Sequence, residues 1–397
     1  MNNEKFKVLI LVFLLITLFS TNVMASEELE IWHYFADSEG MEYVIEEYNQ
    51  NNSIKVNSRY IHVSELGNQL TRAILMNDTP DMVILSSDMI ARFASNGSLA
   101  NLNKFASNWE YKSKFYDEAW ESGKYNDNLY AIPQNINTLA IFYNKDLFKR
   151  NGLETPPQNW KELVEYSRII TDKKDKVYGF SFSAPKNEQL SFQMAPFLWQ
   201  SGADFYNLNN KKAYSAINLW KKMIDQSYTP KSVLNTPQYE LAVNFSSGNI
   251  GMMVNGPWSI GVLEDANFEY GVFKMPVNKK VNKPYSVLGG ESIAILNNSD
   301  MKKESWKFIK FFLNKDVIKT WGELEDRIPA RKDAIVSKSE AMKVFKEQLN
   351  FAKSRPAHPE YSKISAALQT AVQNSLTGGD VKKSLNNAQE KINKIVD

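Results

Sequence analysis

The feature that most constrains this chain is an N-terminal export signal combined with a complete absence of cysteine. Lys5 and Lys7 give a positive start, an apolar run covers residues 8–19, and Val23-Met24-Ala25 fits a small-residue cleavage site. The apolar run is shorter than the ~20 residues that a membrane-spanning helix needs. We therefore predict cleavage after Ala25. A large hydrophobic core, rather than disulfide bridges, must then stabilise the mature protein.

The residue after the predicted cleavage site bears on where the mature protein resides. A lipid-anchored exported protein needs a cysteine at this position, where Ser26 stands instead. An uncleaved anchor is the alternative interpretation of the apolar run, but the small residues are well placed for cleavage. We predict a periplasmic protein that crosses the inner membrane and is released without a lipid anchor.

Length and charge exclude several classes of function. The 397 residues are enough for two domains of ordinary size after the signal is removed. The formal net charge of +2 lacks the basic excess that nucleic-acid binding requires. No later apolar stretch is long enough to cross a membrane. The composition therefore favours an exported, two-domain globular protein.

The first part of the mature chain alternates strand and helix patterns. Residues 29–34 read as a strand, and apolar residues at 41, 44, 45 and 48 then follow a helical period. Alternation over residues 54–60 predicts a second strand, and Leu66, Leu70 and Ala73 mark a second helix. A short apolar run at 82–85 is typical of a buried parallel strand. Repeated strand and helix units predict a parallel sheet covered by helices, an α/β fold.

A second unit of the same kind begins near residue 139. Strands are predicted at 139–143, 178–182 and 250–254, with helices between them, and further strands return at 270–275 and 292–296. No Pro/Gly-rich linker separates the two units, as it would in a tandem arrangement. The chain is therefore expected to cross between two lobes more than once, and a cleft between lobes favours a small-molecule site.

Motifs for catalysis are absent from the sequence. His33, His62 and His358 have no metal-ligand spacing, and neither a HExxH motif nor a nucleotide-binding motif occurs. The GESIA sequence at 290–294 departs from a nucleophile elbow and precedes a strand instead of following one. We predict no enzyme activity, no metal and no cofactor. Spacing alone leaves open a glycosidase, which needs only two carboxylates.

An ordered set of short segments is spread over most of the mature chain. They are LEIWH at 29–33, TPDMV at 79–83, IP at 132–133, YNKDLF at 143–148, NGL at 151–153, PP at 156–157 with Trp160, FSSG at 245–248 with MM at 252–253, GPW at 256–258, GG at 289–290, RIPAR at 327–331 and RP at 355–356. In this order, the set resembles the maltose-binding-like, sugar-binding branch of bacterial ABC-importer solute-binding proteins. The ordered set is far more specific than any one motif.

This resemblance implies a two-lobed periplasmic-binding-protein fold, with a helix-flanked sheet in each lobe and a ligand cleft between them. The expected first lobe holds residues 26–135 plus 262–310, and the second holds 136–261 plus 311–397. The implied function is capture of a sugar, an oligosaccharide in particular, by lobe closure and delivery to a membrane permease. We expect a monomer whose partners are the sugar and the permease subunits, with no nucleic acid.

The resemblance also points to ligand-binding positions, each of which has an ordinary structural alternative. Helix capping competes for Asp37, Ser87 and Asp88, and surface ion pairing is the default for an arginine. Trp258 follows Gly-Pro in a turn and is the strongest aromatic candidate, whereas Trp199 and Tyr206 fit a core equally well. The predicted ligand-binding residues are His33, Asp37, Ser38, Ser87, Asp88, Asn137, Thr138, Trp199, Tyr206, Trp258, Gly289, Gly290, Glu291, Arg327 and Arg355.

Two alternative functions remain at this point. The same family includes receptors for sn-glycerol-3-phosphate and glycerophosphodiesters, and the segment at 268–276 with the glycines at 289–290 fits them too. An exported carbohydrate-active enzyme with two catalytic carboxylates is the alternative from another class. A receptor returns its glycan unchanged, whereas an enzyme consumes it.

Overall fold

The computed structural model describes residues 28–334 and 339–396, so the predicted signal peptide and its cleavage site lie outside the described residues. The α-helices are α1 (Glu39–Asn51), α2 (Val63–Met76), α3 (Ser87–Ser95), α4 (Asn103–Ala106), α5 (Asp117–Ser122), α6 (Lys145–Arg150), α7 (Trp160–Ile170), α8 (Glu188–Ser201), α9 (Lys211–Asp225), α10 (Gln238–Ser246), α11 (Lys302–Phe312), α12 (Lys315–Leu324), α13 (Glu340–Leu349), α14 (Tyr361–Leu376) and α15 (Val381–Val396). Short 3₁₀ turns occur at Glu110–Lys114, Lys231–Leu234, Pro257–Ser259 and Gly261–Leu263.

The strands are short, as expected in a helix-rich α/β protein. They are β1 (Glu28–His33), β2 (Lys55–Tyr60), β3 (Met82–Ser86), β4 (Lys124–Tyr125), β5 (Asn128–Leu129), β6 (Ala131–Pro133), β7 (Asn135–Ile136), β8 (Ala140–Asn144), β9 (Met252–Asn255), β10 (Tyr270–Phe273), β11 (Ser286–Leu288), β12 (Glu291–Ile295), β13 (Ile328–Pro329) and β14 (Ala352–Ser354).

The larger sheet has five strands in the order β2-β1-β3-β12-β6. Strands β1, β2 and β3 run parallel, as the strand and helix pattern predicts, and α1 and α2 provide the crossovers. Strand β12 enters antiparallel to both β3 and β6, so a distant segment of the chain completes the sheet. We call this sheet and its helices the first lobe.

The second lobe is built around a three-stranded antiparallel sheet in the order β10-β8-β9. Two small strand pairs, β11 with β14 and β13 with β7, join segments from distant parts of the chain. A further bridge connects Asn137 with Gly289 between these elements. The chain therefore passes between the lobes at several places, as predicted from the missing linker.

Strand alternation divides the apolar interior into three layers. In β8, Ala140 and Phe142 belong to the middle layer, while Ile141, like Leu139 just before the strand, faces the interior of the second lobe. In β3, the same alternation sends Val83 to the outer layer of the first lobe. The middle layer thus contains residues of both sheets and connects the lobes through packed side chains.

Helix α12 lies in the sequence range that we expected to belong to the second lobe. Its buried residues Ile318 and Trp321 nevertheless pack in the middle layer, and the helix contacts α1 of the first lobe. Trp321 also contacts Phe35, with ring centroids 5.6 Å apart. This packing connects α12 to the first lobe, although its sequence range was expected in the second.

Asparagine begins many of the helices. Five helices, α6, α7, α8, α9 and α12, have an asparagine N-cap whose side-chain oxygen accepts a backbone N–H from the first turn. Such caps satisfy N–H groups that have no partner within the helix and contribute ~1 kcal/mol each. Helix α8 is buried along almost its whole length, so it forms the centre of the second lobe.

The strand predicted at 178–182 is wrong as a continuous element. Only the single bridges of Tyr178 with Ile250 and of Ser181 with Met253 form there. Gly179 lies so close to α7 that an added Cβ would be 2.0 Å from the carbonyl oxygen of Ser167. This close helix packing interrupts the ladder, although the segment still runs beside β9.

None of the helices in the described part of the chain is both long enough and apolar enough to span a membrane.

Candidate functional site

A run of polar residues at 134–138 crosses between the lobes and is buried. Gln134, Asn135, Asn137 and Thr138 are each at most 5% exposed, although they lie between the apolar strands β6 and β8. Both side-chain polar atoms of Gln134 and Asn135, together with Asn137 Oδ1 and Thr138 Oγ1, have no hydrogen-bond partner within the described residues. Buried polar groups without partners are costly, so this concentration makes the crossing a candidate site for a polar ligand.

Gly289 and Gly290 bring a second backbone segment against this crossing. A Cβ at Gly289 would be 2.2 Å from Asn137 Oδ1, and one at Gly290 would be 2.3 Å from the carbonyl oxygen of Asn135. Gly290 also has φ of +138°, which side chains rarely adopt. Its carbonyl oxygen accepts a hydrogen bond from Ser87 N at 3.2 Å, which connects the crossing to the start of α3.

Arg355 joins carboxylates from the two lobes. Its Nη1 lies 2.9 Å from Asp88 Oδ1 on α3 of the first lobe and 2.7 Å from Glu188 Oε1 on α8 of the second. Glu188 also accepts hydrogen bonds from Tyr361 and Ser365, at 2.7 and 2.5 Å. The Arg355 side chain is only 5% exposed, so the alternative of a surface ion pair does not apply to it.

Burial shifts the acidity of the groups in this network. Burial and the neighbouring Asp88 raise the pKa of Glu188, while Arg355 opposes the increase. Burial by itself would lower the pKa of Arg355, but the carboxylates of Asp88 and Glu188 raise it strongly. Burial and the adjacent Glu188 also raise the pKa of Tyr361 well above its usual value. Arg355 and Tyr361 therefore remain protonated at neutral pH.

A second ion pair lies at the start of β12. Arg327 Nη1 is 3.3 Å from Glu291 Oε2, and Tyr34 donates its hydroxyl proton to Glu291 Oε1 at 2.7 Å. The guanidinium of Arg327 also covers the Phe35 ring, 4.8 Å from its centroid. Burial and Glu291 together raise the pKa of Tyr34 well above its usual value. The Nε atoms of both Arg327 and Arg355 are buried without an acceptor in the described residues.

Trp258 is partly exposed at the edge of the second lobe's core. Its ring centroid is 6.3 Å from that of Phe192, whose ring faces the guanidinium of Arg355 at 4.9 Å. Phe192 would in turn be 2.8 Å from a Cβ at Gly289. The structure thus brings Trp258, Phe192, Arg355 and Gly289 together, whereas the sequence separates them by up to 163 positions.

In the loop after β1, the residue that caps the next helix is not the one that the capping alternative named. Ser38, not Asp37, caps α1 by accepting the Met41 backbone N–H, and it donates to Glu325 at 2.5 Å. Asp37 is exposed in a left-handed conformation with φ of +45°. His33 is 5% exposed, and burial lowers its pKa to about 4, so it is neutral at pH 7.

Capping is also excluded for Ser87 and Asp88, since α3 begins after Ser86 without a side-chain cap.

The structure separates Trp199 and Tyr206 from this group of residues. Trp199 is 7% exposed within the core of the second lobe and packs on Phe205 at 6.0 Å. Tyr206 is 40% exposed, and its backbone carbonyl accepts a hydrogen bond from Gln389 of α15. The core alternative therefore describes Trp199, and Tyr206 lies beside the C-terminal helix.

Sequence analysis missed several residues of the candidate site. Their shared property is a polar or aromatic side chain at the crossing or in contact with a residue of the candidate site, and they are Tyr34, Gln134, Asn135, Glu188 and Phe192. The dense run of amides between two apolar strands was a signal for Gln134 and Asn135. Nothing in the local sequence indicates that Glu188 and Phe192 of α8 face this region.

The fold and site define a two-lobed binding protein with polar and aromatic groups concentrated where the lobes meet. Consistent with this class, the model of the family "Bacterial extracellular solute-binding protein" matches residues 43–351. The chain belongs to this family. The predicted two-lobed α/β fold and the function of an ABC-importer solute-binding protein are therefore confirmed.

Individual relatives are distant but cover most of the chain. A putative binding protein of Brucella abortus is 26% identical over 83% of this chain and 82% of its own length. The galactooligosaccharide-binding protein of Bacillus subtilis is 24% identical over 91% of this chain and 88% of its own. A solved ABC transporter solute-binding protein from Thermotoga lettingae, bound with α-D-tagatose, has a TM-score of 0.87 at 25% identity, covering 94% of this chain and 100% of that one.

Proposed function

We propose that this protein captures a neutral sugar, an oligosaccharide in particular, in the cleft between its lobes and delivers it to the permease of an ABC importer. The observation that carries the proposal is the buried run of unpartnered amide and hydroxyl groups at 134–138. Sugar hydroxyls both donate and accept hydrogen bonds, as amide side chains do, so the two sets of groups can satisfy each other. The names of the Bacillus subtilis and Thermotoga lettingae proteins support a sugar ligand.

Aromatic side chains near the buried amides suit the apolar faces of a sugar ring. A pyranose ring presents apolar C–H faces, which stack on an aromatic ring while the hydroxyls reach planar polar groups. Trp258 combines a partly exposed ring with a position beside Phe192 and Arg355. This arrangement favours Trp258 as a stacking platform, with Gly289 allowing close approach of the backbone.

The charge balance of the site argues against glycerol phosphate. A phosphate needs cationic donors that are free to pair with it. Here Arg355 already contacts two carboxylates and Arg327 contacts Glu291. A dianionic ligand would have to displace these carboxylates or lie beside them. The remaining Nε–H donors of the two arginines suit neutral hydroxyl acceptors instead.

The mechanism is closure around the ligand. A sugar that contacts both lobes stabilises the closed arrangement, because only that arrangement satisfies both sets of contacts. The closed protein then docks on the membrane permease. We propose that it acts as a soluble monomer and that the described interface of Asp88, Arg355 and Glu188 forms part of the closed state.

A ligand screen tests this function directly. The mature protein is melted in the presence of mono- and oligosaccharides and of glycerol phosphates, and each hit is measured by calorimetry. A ligand that binds only the native state adds about 2.7 kcal/mol of stability at ~100 times its Kd. We expect stabilisation by a neutral saccharide and none by glycerol phosphate. Selective stabilisation by the phosphate, or no response to any saccharide, would contradict the proposal.

A turnover assay distinguishes a receptor from a carbohydrate-active enzyme. The saccharide that binds is incubated with the protein at equimolar concentration and is then recovered by denaturation and examined by mass spectrometry. We expect the saccharide to return with its mass unchanged. Appearance of shorter saccharides would indicate a hydrolase that uses carboxylates such as Glu291.

Export and cleavage are tested on the full-length chain. Extracellular solute-binding proteins act outside the inner membrane, and we propose cleavage after Ala25 with release into the periplasm. Intact-mass measurement on a periplasmic extract should give the mass of residues 26–397. A mass that retains residues 1–25, or that includes a lipid, would contradict this processing.

A further inference from the structure

We propose that the exposed loop formed by Tyr60, His62 and Val63, here called the β2 rim, is an additional subsite that binds an outer ring of an oligosaccharide. The inference rests on the proposed function, because it assumes that the cleft binds saccharides. It assigns to the β2 rim the selection of ligand length, which no residue described so far provides. Three observations support it.

The first observation is the position of the β2 rim. Strands β1 and β2 run parallel in register, so that Tyr60 pairs with His33 at the carboxyl ends of both strands. The backbone N–H of Ile61 donates to the carbonyl oxygen of His33 at 2.8 Å, which holds the rim against the loop after β1. Ligands of open α/β sheets bind outside these carboxyl ends.

The second observation is exposure of apolar surface. Tyr60 is 46% exposed and Val63 is 48% exposed, and His62 between them is also exposed. Single exposed apolar residues are common, but three aromatic or apolar side chains within four positions form a local patch. His62 Nδ1 lies 2.8 Å from Ser64 Oγ and also caps α2, so the loop is held in a defined conformation.

The third observation is continuity with the candidate site. The ring centroids of Tyr60 and His33 are 6.3 Å apart, and those of His33 and Phe35 are 6.0 Å apart. Arg327 covers Phe35 at 4.8 Å and pairs with Glu291. A band of aromatic rings therefore runs from the buried ion pair to the exposed rim. Alternation along β2 places Arg59, which faces Trp32, on the opposite side from Tyr60.

This geometry predicts how the β2 rim affects affinity. A saccharide of two rings occupies the buried part of the cleft, whereas a longer one extends along the aromatic band towards the solvent. Stacking of an outer ring on Tyr60 would bury part of an aromatic face and improve affinity about tenfold. The rim residues Tyr60, His62 and Val63 include no carboxylate or ammonium group, so the subsite suits a neutral ring.

The test compares ligands of different length on matched variants. Affinities of galactooligosaccharides and maltooligosaccharides of two to five units are measured by calorimetry for the wild type, Tyr60→Ala, Tyr60→Phe and Leu75→Ala. Leu75 is 81% exposed near the far end of α2, so it controls for loss of exposed apolar surface on the same lobe. Melting temperatures confirm that each variant is folded.

We expect Tyr60→Ala to weaken binding of the longer saccharides about tenfold while leaving the disaccharide affinity unchanged. Tyr60→Phe retains the ring and should retain length selection, and Leu75→Ala should behave as the wild type. Equal affinity changes at every length, or none, would overturn the subsite while leaving the proposed function intact. Failure of the wild type to bind any of these saccharides, or any saccharide of the broader screen, would contradict the proposed function itself.

Discussion

At the residue scale, the candidate site consists of polar groups that the fold buries without satisfying. Asn137 Oδ1 and Thr138 Oγ1 have no partner in the described residues, although each buried polar atom of this kind costs ~1–3 kcal/mol. Because such groups do not stabilise the fold, their concentration at one place supports the proposed ligand site. Trp258, whose ring contacts that of Phe192, is partly exposed.

Replacing Trp258 separates a binding role from a packing role. We expect Trp258→Ala to weaken saccharide affinity at least tenfold, because the stacked ring face is lost. Its ligand-free melting temperature should fall much less than that of Trp220→Ala. Trp220 is fully buried and stacks on Phe182 at 3.9 Å, so its removal should cost ~3–5 kcal/mol of stability. Calorimetry and thermal denaturation measure the two effects. Equal destabilisation by both variants would indicate that Trp258 is a core residue.

His33 makes folding stability depend on pH. Its pKa falls from 6.5 in the unfolded chain to about 4 in the folded protein, so the unfolded state binds more protons between these values. Above pH 6.5, His33 is neutral in both states, and the free energy of unfolding does not depend on its protonation. As the pH falls towards 4, proton binding by the unfolded state lowers the free energy of unfolding by about 3 kcal/mol in total.

The variant His33→Asn should remove this part of the pH dependence. Denaturant unfolding at pH 7 and pH 4 measures the free energy of unfolding for the wild type, His33→Asn and the control His62→Asn. We expect the stability loss between the two pH values to be smaller in His33→Asn and unchanged in the control, because His62 is exposed. If the free energy of unfolding depended on pH in the same way for all three proteins, protonation of His33 on unfolding would not account for the stability loss.

At the scale of elements, close backbone approach decides where segments meet. Gly290 separates β11 from β12 and lies against the crossing at Asn135, where no side chain fits. Gly179 has the same effect against α7 and turns a predicted strand into isolated bridges. Both effects depend on contact with another segment of the chain. Gly290 meets the crossing, which is distant in sequence, and Gly179 meets a packed helix. A strand pattern alone does not contain that information.

Substitution of Gly290 tests the importance of this approach. We expect Gly290→Ala to destabilise the protein by ~3 kcal/mol or more, because it adds strain at positive φ to a clash with the Asn135 carbonyl. Gly97→Ala is the control, since Gly97 has φ of +76° but no atom within 4 Å of an added Cβ. It should cost only about 1 kcal/mol. Urea denaturation compares the two, and similar losses would mean that the close approach contributes nothing.

At the scale of the whole molecule, the buried side chain of Arg355 connects the lobes. Asp88 belongs to α3 of the first lobe and Glu188 to α8 of the second, and Arg355 follows β14 at the junction. Removal of one partner from a buried ion pair leaves its carboxylates uncompensated, at a cost of ~3–5 kcal/mol. Opening of the cleft would relieve that cost because water could then solvate both carboxylates.

Loss of Arg355 should therefore shift the protein towards an open form. We expect the ligand-free variant Arg355→Gln to have a larger radius of gyration in small-angle X-ray scattering than the wild type. The control is Arg168→Gln, which removes an exposed ion pair with Glu165 within one helix. Neither its scattering profile nor its melting temperature should change appreciably. An unchanged radius of gyration in folded Arg355→Gln would show that the bridge does not hold the lobes together.

The division of the chain between the lobes stays a proposal. The ranges 26–135 plus 262–310 and 136–261 plus 311–397 follow the resemblance, and β12 does complete the sheet of the first lobe. Helix α12 packs on α1, however, so we propose that the first lobe also includes 311–324. Hydrogen exchange during ligand binding, which reports the segments that close together, would test this assignment.

The sequence by itself determined the class of fold and identified several residues that lie close to the crossing between the lobes. Helical and strand periods predicted α1, α2 and β1 to β3, because these patterns depend on residues close in sequence. Ordered family-like segments identified Asp88, Trp258, Gly289, Glu291 and Arg355 as candidates, and the structure brings them close to the crossing.

Only the tertiary structure decided which of the candidates meet and which partners they have. Trp199 packs in the core of the second lobe, whereas Trp258 is partly exposed at the edge of that core. Glu188 and Phe192 face the site because α8 packs with one turn against the junction, a contact that helical periodicity does not specify. Burial, partners and strain arise from segments that are distant in sequence, and they exist only once the lobes are assembled.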